Sequence, residues 1–375
     1  MNLIKLAAPD IRNSDLKRVA AVLRSGNLVQ GATVAEFESA LVDFCGVNHC
    51  AVVSSGTSAL HLALLALGIG KGDSVIVPAF TFPASANAVE YAGAKVVLCD
   101  VDPQSYVMTP ALLESVIARN RRTRLTAVMV VHEFGYPVDM VGMRAVTRRH
   151  GLKLIEDAAC ALGTRSGGAH VGRYSDAACF SFHPRKAVTT GEGGAVLSRN
   201  GALINAVKEL RNHGIRVHAS KVDFPRAGLN YRMTEFQAAL GLGQLERFSH
   251  ELAKRRRLAA QYLDQLHDVP ELDLPKFDDG CSWQTFMVVL NQAVIRSKVI
   301  KHLAGLGIQT NLGAQALNIL TYYQTKYGWN DKTCPGASRL YRCGLALPLH
   351  GKVSSRDVNF VAKTLKSLLA ARLAL

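Results

Sequence analysis

Residues 175–200 read SDAACFSFHPRKAVTTGEGGAVLSRN, and the order of their parts decides the fold. An apolar run, Ala177–Phe182, meets a loop rich in Pro, Thr and Gly, and a second apolar run, Gly194–Leu197, follows. Upstream the same alternation recurs. Ala51–Val53, Ser74–Val77, Lys95–Asp100, Ala127–Val131 and Lys153–Asp157 are short β-branched runs separated by helix-like stretches. Continuous apolar runs joined through helices are the pattern of strands buried on both faces. The expectation is an α/β sandwich, a mainly parallel mixed sheet of about seven strands between helices. In such sheets ligands collect beyond the carboxyl ends of the strands, so the residues just after each run come first.

Beyond Thr234 the pattern turns helical. TEFQAALGLGQLERFSHELAKRRRLAAQYLDQL, residues 234–266, carries apolar residues at three- and four-residue spacing and reads as a long or broken helix. After it, Thr285–Leu290, the helix RSKVIKHLAGLG and a final helix, Ser355–Leu369, read as α+β. The expected division is a large domain over 1–250 and a smaller C-terminal α+β domain over 251–375. A length of 375 residues suits two domains. With 49% hydrophobic and 19% charged residues, a disordered chain is excluded. No apolar run approaches the roughly 20 residues of a membrane span. The opening MNLIKLAAPDIRNSDL lacks the apolar core of a signal peptide, so a cytoplasmic location is expected.

The net charge is +15, which suits nucleic acid, an anionic membrane or anionic small substrates. The basic runs (Arg121-Arg122, Arg148-Arg149 and Lys254–Arg257) are dispersed among helix-like segments. They read first as solvated helix faces and second as an attraction for phosphorylated ligands. Nothing resembles a DNA-reading module, so a basic nucleic-acid-binding regulator is the distant alternative. Eight cysteines are scattered without a CxxC pair or zinc-ligand spacing. A reduced compartment and no structural metal are expected.

Four strand ends carry polar or aromatic residues worth weighing. In VVSSGTSALHLALLALG, Gly56 permits a tight turn and Thr57 and Ser58 open a helix. Free N–H groups there would bind an anion, or the hydroxyls simply cap the helix. In VPAFTFPASANAV, Phe80 and Phe82 follow a strand, and either could stack on a flat ring or belong to the core. Asp157 ends an apolar strand, so its acid needs a cationic or hydrogen-bonding partner, or caps the next helix. Lys186 lies after the next strand in a turn of small residues, with Ser181 close behind. A lysine that forms a Schiff base needs such a confined site, and lysine sites for pyridoxal phosphate (PLP) pair it with an acid on the pyridinium nitrogen.

GTSAL, EDAA, SFHPRKAVTTGEGG and GLNYRMTEFQAALGLGQL, supported by RRRLAAQY and LALPLH, resemble the DegT/StrS-type sugar aminotransferases, PLP enzymes of fold type I. The resemblance runs from about residue 5 to 370. It implies that Lys186 carries PLP in Schiff-base linkage and shuttles a proton, while Asp157 keeps the pyridinium nitrogen protonated. It further implies that Phe82 stacks on one ring face, Ala159 packs on the other, and Gly56, Thr57, Ser58 and Ser181 bind the phosphate. Asn230 would reach the phosphate from the neighbouring subunit of a homodimer with shared active sites. Cys160 stands where the family often has Gln or His near the phenolic oxygen, and cysteine is a weak donor. The segment TNLGAQALN replaces a His-containing family segment, which suggests Asn311, Gln315 and Asn318 as acceptor-facing residues. The implied reaction moves an amino group, from L-glutamate, to a keto-sugar carried on a nucleotide, in amino-sugar biosynthesis for a polysaccharide or antibiotic. Amination of a cyclitol ketone, or sugar dehydration, is the alternative within the same fold. A dehydrating branch has histidine in place of the lysine, so Lys186 favours amino transfer.

Overall fold

In the computed structural model, the described residues are 3–218, 221–291 and 294–371. All seven apolar runs become strands of one sheet. Its order is His49–Val53, Gly194–Ser198, Ala177–Ser181, Lys153–Asp157, Leu125–Val131, Ser74–Pro78 and Lys95–Cys99. Only Gly194–Ser198 runs against the others; its antiparallel pairings set Gly194 opposite both Val53 and Ser181. The remaining pairs are parallel, with Val131 beside Asp157 and Asp157 beside Cys179.

The apolar runs are continuous because both faces of this sheet are covered. Val75, Val77, Ala127, Met129, Ile155 and Val196 face helices Gly56–Ala66, Ala84–Tyr91 and Gly201–Leu210. The intervening Ile76, Val128, Val130 and Leu154 face the opposite way, into a core shared with helices Pro110–Arg119, Met140–Arg149 and Phe248–Leu266. Period-two alternation therefore sorts the residues of each strand between two buried layers.

The helical stretch after Thr234 is broken into Glu235–Leu245 and Phe248–Leu266. At the break the Arg247 guanidinium donates to both carboxylate oxygens of buried Asp15, at 2.8 and 2.6 Å, and to the Asp10 carbonyl at 2.7 Å. The expected boundary near residue 250 falls just after this break. Beyond it, Leu272–Asp273, Phe286–Leu290 and Gly344–Leu347 form an antiparallel sheet. Helices Arg296–Gly305 and Ser355–Ala370 share its apolar residues. The core is continuous between the two regions: Val128 and Val130 of the large sheet share a cluster with Tyr262, Phe286 and Val288. The short pair Phe80–Thr81 with Gln315–Ala316 pins the 311–316 segment across the carboxyl edge of the large sheet.

Candidate active site

A cavity of about 470 Å³ opens at that edge. The residues that follow five parallel strands reach its wall: Gly56, Phe82, Glu133, Asp157 with Cys160, and Ser181 with Lys186. Asn311 and Gln315 close it from the other side.

Asp157 forms the acidic end. It is 5% exposed. One carboxylate oxygen accepts from Ser85 Oγ at 2.7 Å and the other from the Ala159 N–H at 3.1 Å. Burial pushes its carboxyl above the ordinary range, against those two hydrogen bonds and the nearby Lys186, which favour the charged form. A buried carboxylate so placed is completed by a cation on its open side. Ser85 is itself buried and is held by Thr81 Oγ1 at 2.9 Å, so the acid has a fixed support.

The anion end is built on helix Gly56–Ala66. Ser55 caps it, its Oγ accepting the Ser58 N–H at 3.0 Å, and Gly56 and Thr57 of the first turn line the cavity, where a helix N-terminus favours an anion. A methyl group on Gly56 would stand 2.8 Å from Ser181 Cβ, so only glycine lets this turn approach the Ser181 strand end. Thr57 also lies on the wall. Ser58 does not. Its hydroxyl turns inward to Ser54 Oγ at 3.0 Å and Ser55 Oγ at 2.6 Å.

Lys186 lies between these ends, with Nζ 3.0 Å from Cys160 Sγ. Burial works against its ammonium form, but Cys160, Glu133 and Asp157 more than offset this and hold it above the usual lysine range. Burial also raises the Cys160 thiol, while the charge of Lys186 and its hydrogen bond pull it back down. The lysine turn is internally fixed: the Lys186 N–H donates to the His183 carbonyl at 2.8 Å. Thr189 Oγ1 and the Thr190 N–H both bind the Phe182 carbonyl, at 2.8 and 3.0 Å. Phe82, 61% exposed, presents its ring at the cavity wall, and Ala159 lies beside Asp157 on the same wall.

The fit to PLP is therefore complete in kind. A buried acid supported by Ser85, a lysine, an aromatic ring and a glycine cradle at a helix N-terminus share one cavity. Asn230 is exposed and is not on its own chain's cavity wall. It pairs with Asn212, while the next residue, Tyr231, accepts the Ser54 N–H at 2.9 Å and so places this segment behind the anion end. Asn318 is buried away from the cavity, its amide donating to the Asn330 carbonyl and Ser338 Oγ, both at 2.9 Å. It holds the small region's loops together and does not face an acceptor. Phe80, weighed as an alternative to Phe82, is fully buried against Phe134.

Sequence reasoning passed over three residues of the site. Ser85 supports Asp157, and Gln284 reaches the lysine turn from the far region. Glu133, nearly buried on the wall, has its carboxyl pushed up to about 7 by burial, with Lys186 pulling it down and Asp157 adding to the rise. Its strand end, VVHEFG, was a signal available by the same rule that found Asp157.

The sequence profile described as the DegT/DnrJ/EryC1/StrS aminotransferase family matches residues 9–366. GDP-perosamine synthase of Caulobacter vibrioides is 38% identical over 345 residues, covering 90% of this chain and 91% of that protein. The PLP form of Spr1654 from Streptococcus pneumoniae superposes with a TM-score of 0.92 at 26% identity, over the whole of both chains (100% each). DesV of S. venezuelae, in complex with a ketimine intermediate, gives a TM-score of 0.89 at 31% identity over 97% of this chain and 98% of that one.

Proposed function

We propose a specific amino transfer for this chain, which belongs to the DegT/DnrJ/EryC1/StrS aminotransferase family and is a PLP-dependent sugar aminotransferase. The donor is L-glutamate and the acceptor is a keto-sugar linked to a nucleotide, in amino-sugar biosynthesis. Bound in the cavity, PLP supplies an aldehyde for the migrating amino group and an electron sink for the carbon that loses its proton.

Lys186 would hold the cofactor through Nζ and, when free, would move the proton between the donor Cα and the cofactor C4′. Asp157, kept in place by Ser85 and the Ala159 N–H, holds a proton on the pyridine nitrogen. Phe82 and Ala159, both on the cavity wall, would flank the ring, and Cys160, within reach of Lys186, would stand near its phenolic oxygen. Gly56, Thr57 and Ser181 bind the phosphate; Ser58 acts behind them, fixing Ser55. Asn230 completes that phosphate site in the partner subunit of a homodimer. Asn311 and Gln315 face the sugar. Residues 1–250 carry the cofactor side and 251–375 the small-domain side.

The observation that carries this reading is the convergence of Lys186, Asp157 and Gly56 on one cavity. A panel of keto-sugar nucleotides incubated with glutamate, read by mass spectrometry for 2-oxoglutarate, tests it. Acceptor-dependent 2-oxoglutarate is expected, and a panel that includes free keto-sugars and cyclitol ketones would overturn the acceptor class if only those react.

A further inference from the structure

Gln284 lies almost a hundred residues after Lys186, yet its carboxamide grips the backbone on both sides of that lysine. Oε1 accepts the Ala187 N–H at 2.8 Å, and Nε2 donates to the Arg185 carbonyl at 2.7 Å. The residue is buried, so neither bond is exchanged with solvent at little cost. Lys186 is thus fixed from outside its own turn by a side chain that lies just before strand Phe286–Leu290.

The backbone around Gln284 is equally constrained. Its N–H donates to the Phe134 carbonyl at 2.9 Å, and the Ser282 N–H donates to the Gly135 carbonyl at 3.2 Å. Ser282 Oγ donates to the Cys160 carbonyl at 3.1 Å. Arg255, buried in the linking helix, donates to the carbonyls of Gln284 at 3.3 Å and Leu349 at 3.1 Å. Trp283 and Phe134 both take left-handed backbone, φ 50° and 58°, which persists only where the surroundings over-determine it. Gly135 leaves no room for a side chain: a Cβ there would lie 2.9 Å from the Cys160 carbonyl oxygen. Residues 282–284 therefore tie together the strand-end loops that carry Glu133, Cys160 and Lys186.

We propose that Gln284 is a positioning residue: its carboxamide sets where Lys186 Nζ stands in the cavity and couples that position to the small-region sheet. The inference rests on the reading that Lys186 carries the cofactor. A carboxamide satisfies both backbone groups because it donates and accepts at once. A neutral carboxyl does the same, whereas a carboxylate accepts twice and turns a negative oxygen toward the Arg185 carbonyl. The substitution Gln284→Glu therefore makes the grip on the lysine turn pH-dependent.

The test compares wild type, Gln284→Leu and Gln284→Glu as holoenzymes without substrate. The readouts are the pH titration of the near-visible absorption of the lysine-bound cofactor, and the dissociation constant of PLP. Gln284→Leu should move the titration midpoint and weaken PLP on the order of tenfold, one to two hydrogen bonds' worth. Gln284→Glu should match the Leu variant at alkaline pH and return to wild-type behaviour on acidification. A merely structural role would give no such acid recovery. Three identical titrations with unchanged PLP affinity would overturn the proposal, and the Leu variant decides alone if the Glu variant does not fold. Borohydride reduction of wild type keeps the two readings apart. A pyridoxyl group on Lys186 with indifferent Gln284 variants sinks only this inference, whereas a label elsewhere sinks the assignment of Lys186.

Discussion

Replacing Asp157 by Asn removes one charge and keeps the shape. The side-chain amide can still accept the Ala159 N–H, now 3.1 Å from the carboxylate, and donate to Ser85 Oγ, now at 2.7 Å. Ser85 can pass its own proton on to Thr81 Oγ1 at 2.9 Å or to the Phe82 carbonyl at 3.3 Å. Both hydrogen bonds are therefore replaceable, and unfolding free energy should change by no more than about 1 kcal/mol. The electrostatic loss is larger. A carboxylate in contact with a protonated ring nitrogen, at about 3 Å and an effective dielectric near 20, contributes about 5 kcal/mol, an upper figure equivalent to about four pKa units on that nitrogen. Asparagine gives none of this, so the nitrogen loses its proton near neutrality. The half-reaction with L-glutamate, followed by stopped-flow absorbance at saturating cofactor, should slow by about 10³- to 10⁴-fold. A variant that folds, binds PLP and reacts within tenfold of wild type would show that Asp157 serves only as a helix-end anchor.

Other predictions concern groups whose surroundings are equally explicit. Glu133, with its carboxyl raised to about 7 by burial, keeps protons in the folded state that an unfolded chain releases. Its contribution therefore falls as pH rises from the ordinary glutamate range through about 7. Glu133→Gln should leave the cofactor-free protein's stability unchanged near pH 4.5 and raise it at pH 8, by at most about 3 kcal/mol; a urea-unfolding difference that is flat with pH would contradict this. Gly56→Ala would set its methyl 2.8 Å from Ser181 Cβ. PLP affinity, measured by equilibrium dialysis, should drop at least tenfold, on the order of 1–3 kcal/mol of overpacking, and unchanged affinity would show that the turn does not cradle the phosphate. Lys186→Ala and Asn230→Asp should each be inactive alone, yet co-refolded mixtures should regain activity, because one site of a mixed dimer carries both defects and the other neither. Heterodimers that form without activity would place Asn230 outside the partner's site.

The sheet was legible because burial on both faces leaves uninterrupted β-branched runs, and each of the seven runs between residues 51 and 197 expected as strands lies in the seven-stranded sheet. The same rule led to Asp157 and Lys186, since strand ends in such a sheet point at the crevice. It says nothing of which side chain comes to meet them. Gln284 reaches the backbone on both sides of Lys186 from beside strand Phe286–Leu290 of another sheet, and no local pattern around TFMVVL announces that contact. Ser85 is a small residue in the first turn of a helix, and its importance comes from the hydroxyl it turns toward Asp157. Ser58 and Asn318 fail in the opposite sense. Each has the right chemistry in the right segment, but neighbouring polar groups draw the Ser58 hydroxyl and the Asn318 amide N–H inward, a competition that residue type and spacing do not reveal. The helix break at Arg247 is of the same kind, resting on an ion pair with Asp15 far upstream.

The central claim is that Lys186 carries the cofactor. Purified holoenzyme reduced with borohydride, digested and mapped by mass spectrometry tests it directly, because reduction fixes the imine to the lysine that bears it. The label is expected on the peptide containing His183–Ala187 and to be absent from Lys186→Ala protein, which should still bind PLP without covalent attachment. A pyridoxyl group on a different lysine of the wild-type chain, or on none while PLP is bound, would contradict the assignment.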